Sequence, residues 1–329
     1  MVAGARMRHL PGAGLAFLGR HATTFMAAGV LVGLAVPPLA TLLAPVLVPT
    51  LLIPFTLALL RLDWSSIAVC RRQPLRVLAL LLWLLVASPV LVALATRALG
   101  AVGLPEQLRV ALVLMAASSP IVSSMALALI LGLDAALVVV CVLIATALAP
   151  VTLPGAAAAL LGLDVNLALD VFMLRLALLV GSAFGAAWVI RRIAGPARLA
   201  RNATLIDGLT VLNLVLFAIA IMAGVTDFAR TRPGYAATAL AAAFGFNLAL
   251  QLAGYRLFRS LRKPAALGAA FMSGNRNMGL VLVALQGQAP FEVTVFFALA
   301  QIPMYVLPAL LRGTYAARLA RGGGARARV

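Results

Sequence analysis

The chain has 329 residues, of which 64% are hydrophobic and only 10% charged, with a formal net charge of +18. Soluble domains carry about 25% charged residues, and one core in a chain of this size cannot hide so much apolar surface, which excludes a soluble globular protein. Long continuous apolar runs, with no ten-residue alternation, exclude a transmembrane β-barrel and leave α-helices, which satisfy their own backbone groups in a lipid bilayer.

Residues 1–21, with Arg6, Arg8 and Arg20, read as a cytoplasmic N-terminal tail. A signal peptide is the competing reading; further spans follow, and no small-residue cleavage site precedes them. At about 20 apolar residues per span, ten spans are expected, near 22–37, 39–60, 74–97, 105–131, 134–154, 171–192, 205–225, 234–257, 264–287 and 291–312. Pro37, Pro38 and Pro45 divide the first two, and a basic cytoplasmic tail, 313–329, closes the chain.

The basic residues test this count, because cytoplasmic loops carry the excess of Lys and Arg. With the N-terminus inside, the inside segments hold Arg6, Arg8 and Arg20; Arg61, Arg71, Arg72 and Arg76; Arg191, Arg192, Arg198 and Arg201; Arg256, Arg259, Arg262 and Lys263; and Arg312, Arg318, Arg321, Arg326 and Arg328. The outside segments hold Arg97, Arg109, Arg230 and Arg232, so 20 residues stand against 4. The positive charge is therefore topological and points to the bilayer, not to nucleic acid. Both termini are expected inside.

Ten spans divide as five and five, and an odd-numbered half inverts the second relative to the first, the plan of many secondary transporters. The expected domains are thus 22–154 and 171–312. Pro150 and Pro154 mark the fifth span, and Pro303 and Pro308 the tenth.

The fourth span contains Ser118-Ser119-Pro120 and then Ser123-Ser124. Pro120 should break or kink the helix, and Ser119 before it resembles an N-cap leading into a new half-helix. The competing reading is a kinked helix whose serines bond to their own backbone. The ninth span contains Ser273-Gly274-Asn275-Arg276-Asn277 about ten residues from either end. A guanidinium at that depth costs at least about 2.5 kcal/mol and marks a cavity, a partner or a ligand; the bland alternative is an Arg that caps exposed carbonyls. Two broken helices meeting at mid-membrane would favour an anion, through helix N-termini and a forked cation. The candidate substrate-binding residues are Ser119, Ser123, Ser124, Asn275, Arg276 and Asn277.

All eight acidic residues, Asp63, Glu106, Asp134, Asp164, Asp170, Asp207, Asp227 and Glu292, fall in loops or near span ends. Asp134 reads as a helix cap, Arg175 as a side chain reaching the interface, and Asn213, Asn247, Gln251 and Gln301 as interhelical hydrogen-bonding groups. His9, His21, Cys70 and Cys141 have no metal-ligand spacing, and no catalytic constellation lies within the spans. Neither an enzyme nor a cofactor is expected.

The segments Ser118–Pro154 and Ser273–Leu280 (SGNRNMGL), with Gln73 to Pro89 as a third, resemble the bile acid:sodium symporter family, in particular its bacterial branch. The resemblance covers nearly the whole chain. It implies an all-α membrane protein of two inverted five-helix repeats, forming a panel and a core domain, in which the fourth and ninth helices are broken and cross. It implies a bacterial inner-membrane location and an organic anion as substrate, either a small carboxylate or a bile-acid-like steroid. It also implies a sodium site, and there the chain departs from the family. Ser124-Met125 stands for a Ser-Asn pair, Met272 for a Glu, Arg276 for a Gln and Leu84 for a Gln of the third helix; Thr146 retains a Thr. With most sodium ligands replaced, the expectation is sodium-independent transport, with Arg276 occupying the place of the ion. Sodium-coupled symport and a non-transporting membrane sensor are the alternatives.

Overall fold

Long apolar runs interrupted by proline and glycine dictate helices with defined breaks. The computed structural model describes residues 14–15, 17–19, 21–62, 68, 72–101, 103–162 and 168–323. Arg6, Arg8, His9 and Arg20 of the N-terminal tail, Asp63, Cys70, Arg71 and Asp164 in loops, and Arg326 and Arg328 at the C-terminus lie outside the described residues. Among the described residues every regular element is a helix.

In chain order these are α1 Ala22–Ala35, α2 Pro37–Leu60, α3 Pro74–Gly100, α4 Glu106–Ala117, α5 Ser124–Ile130, α6 Ala135–Leu161, α7 Leu169–Ala194, α8 Pro196–Arg201, α9 Ala203–Thr231, α10 Pro233–Leu257, α11 Lys263–Gly274, α12 Met278–Leu285, α13 Phe291–Leu310 and α14 Arg312–Gly323. Seven of them, α2, α3, α6, α7, α9, α10 and α13, are long and apolar enough to cross a membrane. The other three expected spans are not single long helices. Pro37 follows α1 after 14 residues, and the expected fourth and ninth spans are each split in two, α4 with α5 and α11 with α12.

Two local departures have clear causes. Pro89 lacks the N–H that would bond to Leu85, and α3 widens there into a π-turn over Trp83–Ala87, a common answer to a disturbed helical ladder. Helix α6 runs on to Leu161, past the expected end at residue 154, with Pro150 and Pro154 inside it. Prolines are tolerated within membrane helices because other groups re-satisfy the freed carbonyls.

The chain forms two compact units. The first comprises residues up to Leu62 together with Gly181–Thr231, hence α1, α2, the second half of α7, α8 and α9. In it α9 packs on α1 through Gly29 and Gly33. A Cβ on Gly33 would lie 2.8 Å from the Ile219 carbonyl oxygen, so only glycine permits this approach. Arg61 Nε pairs with Asp207 Oδ1 at 2.8 Å. The second unit comprises Asp63–Val180 and Arg232 onward, hence α3–α6, the first half of α7, and α10–α14. Its core holds Leu80, Leu84, Leu108, Leu112, Phe271 and Phe296, all nearly inaccessible. Arg175 Nη1 donates to the Gln286 carbonyl oxygen at 2.6 Å. It closes the C-terminal end of α12, where unpaired carbonyls favour a cation.

Candidate functional site

The site lies in the second unit, where the two helix breaks meet. Residues between α4 and α5 and those between α11 and α12 run antiparallel, with Pro120 opposite Arg276. Ile121 N–H donates to the Asn275 carbonyl at 2.9 Å, and Asn277 N–H donates to the Ser119 carbonyl at 2.8 Å. Those two bonds flank the Pro120–Arg276 pair, so that pair itself needs no N–H from residue 120. Proline fits there because it has none to give. The serine reading is corrected accordingly. Ser119-Pro120 does not begin a helix but lies in the extended stretch, and α5 starts only at Ser124, after Ser123, which makes no side-chain cap bond. Asn277 does cap α12, its Oδ1 accepting from Leu280 N–H at 3.3 Å.

Arg276 is fully buried. Its Nε donates to the Ser273 carbonyl at 2.8 Å. Nη1 donates to the carbonyls of Leu84 and Ser118, both at 2.9 Å. Nη2 donates to Ser88 Oγ at 2.6 Å. These bonds use four of the five guanidinium N–H groups. None of the four acceptors is a carboxylate, and no ion pair involves Arg276 among the described residues. The cation therefore sits in a shell of neutral oxygens drawn from α3, the α4–α5 break and α11. Leu84 can supply its carbonyl because the π-turn sends Ser88 N–H to Trp83 instead. Ser88 Oγ also donates to the Leu84 carbonyl at 3.2 Å, which turns its lone pairs to the guanidinium.

The remaining candidates surround this centre to differing degrees. Thr146 Oγ1 donates to Ser119 Oγ at 3.2 Å, joining α6 to the first break. Pro150 offers no N–H to the Thr146 carbonyl, so that oxygen lacks its usual α-helical donor. Asn275 Nδ2 donates back to the Phe271 carbonyl at 2.9 Å. Ser124 Oγ and Asn275 Oδ1 are buried with no hydrogen-bond partner. Met125 and Met272 are buried apolar side chains and contribute no oxygen donor. Ser123 is half-buried.

A supporting layer escaped the sequence reading. Trp83 Nε1 donates to Ser273 Oγ at 2.8 Å, and Ser88 contacts Arg276 directly. Their signal was Pro89 in the middle of α3, which marks a disturbed ladder with free carbonyls. Asn247 donates from α10 to the Gly274 carbonyl at 2.9 Å, the interhelical role expected of it. A Cβ on Gly274 would lie 2.6 Å from the Asn247 carbonyl oxygen, so glycine is what lets α11 end against α10. Gln251 Nε2 donates to Asn247 Oδ1 within α10 at 2.6 Å, and Gln251 Oε1 accepts from Tyr315 Oη at 2.7 Å. Asn213 and Gln301, expected to bridge helices, instead donate to carbonyls four residues back in their own helices. Asp134 Oδ1 accepts from Leu137 N–H at 3.2 Å, capping α6 as expected. No cluster of His, Cys, Asp and Glu suited to a metal occurs among the described residues.

In comparisons with known proteins, no family model and no curated protein matches this chain.

Proposed function

We propose that the protein is a secondary transporter of a small organic anion, sodium-independent, working by alternating access in a bacterial inner membrane with both termini cytoplasmic. The observation that carries this reading is the buried Arg276 in its shell of oxygens. A mobile alkali cation is bound by carbonyls and hydroxyls; here a tethered guanidinium holds four such oxygens. A charge fixed in this position makes a diffusible one unnecessary and repels it.

Among the described residues no carboxylate pairs with Arg276, so the field at the crossing favours an anion. The N-terminal end of α12 adds to that field. Because Arg276 spends most of its donors on the protein, it acts as a fixed charge and as a brace. Direct polar contact with the substrate then falls to Ser123 and Ser124 and to the amides of Asn275 and Asn277.

The reading also implies ten spans in two inverted halves. Two observations support that arrangement: the stretches expected as the fourth and ninth spans are each interrupted, α4 from α5 and α11 from α12, and each half of the chain contributes to both compact units. The breaks fall at corresponding places in the two halves.

Uptake of labelled organic anions into proteoliposomes, with and without a sodium gradient, tests the proposal. Sodium-independent uptake by the wild type, lost in Arg276→Ala while Arg276→Lys retains a fraction, is the expected result. Uptake that requires a sodium gradient overturns the role given to Arg276, and a complete lack of uptake across carboxylates and steroid anions overturns transport.

A further inference from the structure

The second unit holds a pocket of about 150 Å³ that the transport reading does not use. Its walls are Leu248 and Leu252 of α10, Leu267 of α11, and Leu311 just after α13. Leu248 and Leu252 are 41% and 46% exposed, so the pocket opens through the outer face of a helix long and apolar enough to cross a membrane. An apolar slot on such a face is filled by hydrocarbon.

At one end the slot becomes basic. The Arg318 guanidinium lies 4.6 Å from the centre of the Tyr255 ring, and Lys263 Nζ lies 3.3 Å from Tyr255 Oη. Neither cation forms an ion pair with a carboxylate among the described residues. Tyr255 thus holds two positive charges side by side at the mouth of an apolar slot. Two adjacent unpaired cations select a phosphate, and an adjoining slot selects a chain. At its inner wall Tyr315 and Gln251 are hydrogen-bonded at 2.7 Å, and Gln251 and Asn247 continue to the Gly274 carbonyl at the helix break.

We infer that this pocket is a binding site for an anionic phospholipid, with one acyl chain along Leu248 and Leu252 and the phosphate between Arg318 and Lys263. Occupancy ties α14 to α10 and, through Gln251 and Asn247, steadies the break. The site is independent of what the protein carries, so its test does not require transport.

The test is thermal unfolding of the purified full-length protein in dodecylmaltoside. Phosphatidylglycerol, phosphatidylcholine of the same chains, or inorganic phosphate is added in turn. Phosphatidylglycerol should raise the unfolding temperature of the wild type, and the other two should leave it nearly unchanged. The half-saturating lipid concentration should rise about fivefold for each cation removed, hence about 25-fold in the Lys263→Gln, Arg318→Gln double variant. Leu252→Trp, which fills the slot and keeps both cations, should abolish the shift, and it carries the test alone if the double variant does not purify. Equal shifts with phosphatidylcholine, a shift with phosphate alone, or a double variant with wild-type half-saturation each overturns the assignment.

Discussion

Replacing Arg276 with methionine keeps an unbranched side chain, shorter by the outer part of the guanidinium, and removes its charge and all four of its hydrogen bonds. Hydrogen bonds to a charged group contribute about 1.5–3 kcal/mol each, so the four amount to roughly 6–12 kcal/mol. Removing the cation also relieves the cost of holding it within a membrane-length bundle, about 2.5–3.5 kcal/mol on insertion scales. The loss exceeds the relief, and a net destabilisation of at least about 2.5 kcal/mol is expected. The bonds are not equivalent. Leu84 keeps Ser88 Oγ as a donor, whereas the Ser118 and Ser273 carbonyls lose the only donor recorded for them among the described residues. Lysine, with its charge but no fork, should recover part of the loss. Unfolding by titration with sodium dodecyl sulfate, from mixed micelles, measures the difference. A methionine variant within about 0.5 kcal/mol of wild type, the range of an ordinary surface substitution, would refute the argument that Arg276 braces the crossing.

Glycines 274 and 181 should respond in opposite directions to alanine. At Gly274 the new methyl meets the Asn247 carbonyl and the Gln251 side chain, and a loss of about 1–3 kcal/mol is expected from overpacking. At Gly181 nothing lies within 4 Å, and alanine in the helix interior should gain about 0.5–1 kcal/mol; melting of the two purified variants separates them. Trp83→Phe removes the Nε1 donor to Ser273 Oγ, for a loss of about 0.5–1.5 kcal/mol in the same assay. Asp134→Ala uncaps α6 and should cost about 0.5–2 kcal/mol, with faster amide exchange confined to its first turn as the local signature.

Much of the site's location was legible along the chain. Pro120 beside Ser118 and Ser119, and Arg276 beside Gly274, announce breaks because their covalent structure or charge is incompatible with an undisturbed apolar helix. The structure interrupts the helices at those places. The assignment of Ser119 as a cap failed for a reason the local sequence could not carry. Whether Pro120 starts a helix or an extended pairing depends on the strand-like partner at Asn275–Asn277, more than 150 residues away in the chain (Arg276 and Ser118 are 158 apart). The side-chain amides divided in the same way. Asn247 found a free carbonyl on a neighbouring helix, while Asn213 and Gln301 settled on their own backbones. Nothing in their immediate neighbours distinguishes these outcomes.

The sequence by itself determined the class of the protein, the positions of its long helices and the two points at which helices break. Those follow from composition, spacing and backbone chemistry, which act over one or two turns. Only the tertiary structure decided what those breaks are for. It brought Leu84, Ser88, Ser118 and Ser273 to one guanidinium, fitted Gly274 against Asn247, and set two cations at the mouth of an apolar slot. Each of these depends on which oxygen or methyl from a distant helix arrives at the same few ångströms. A buried charge or a missing side chain makes such an arrival necessary, and the packing of the whole unit selects the partner.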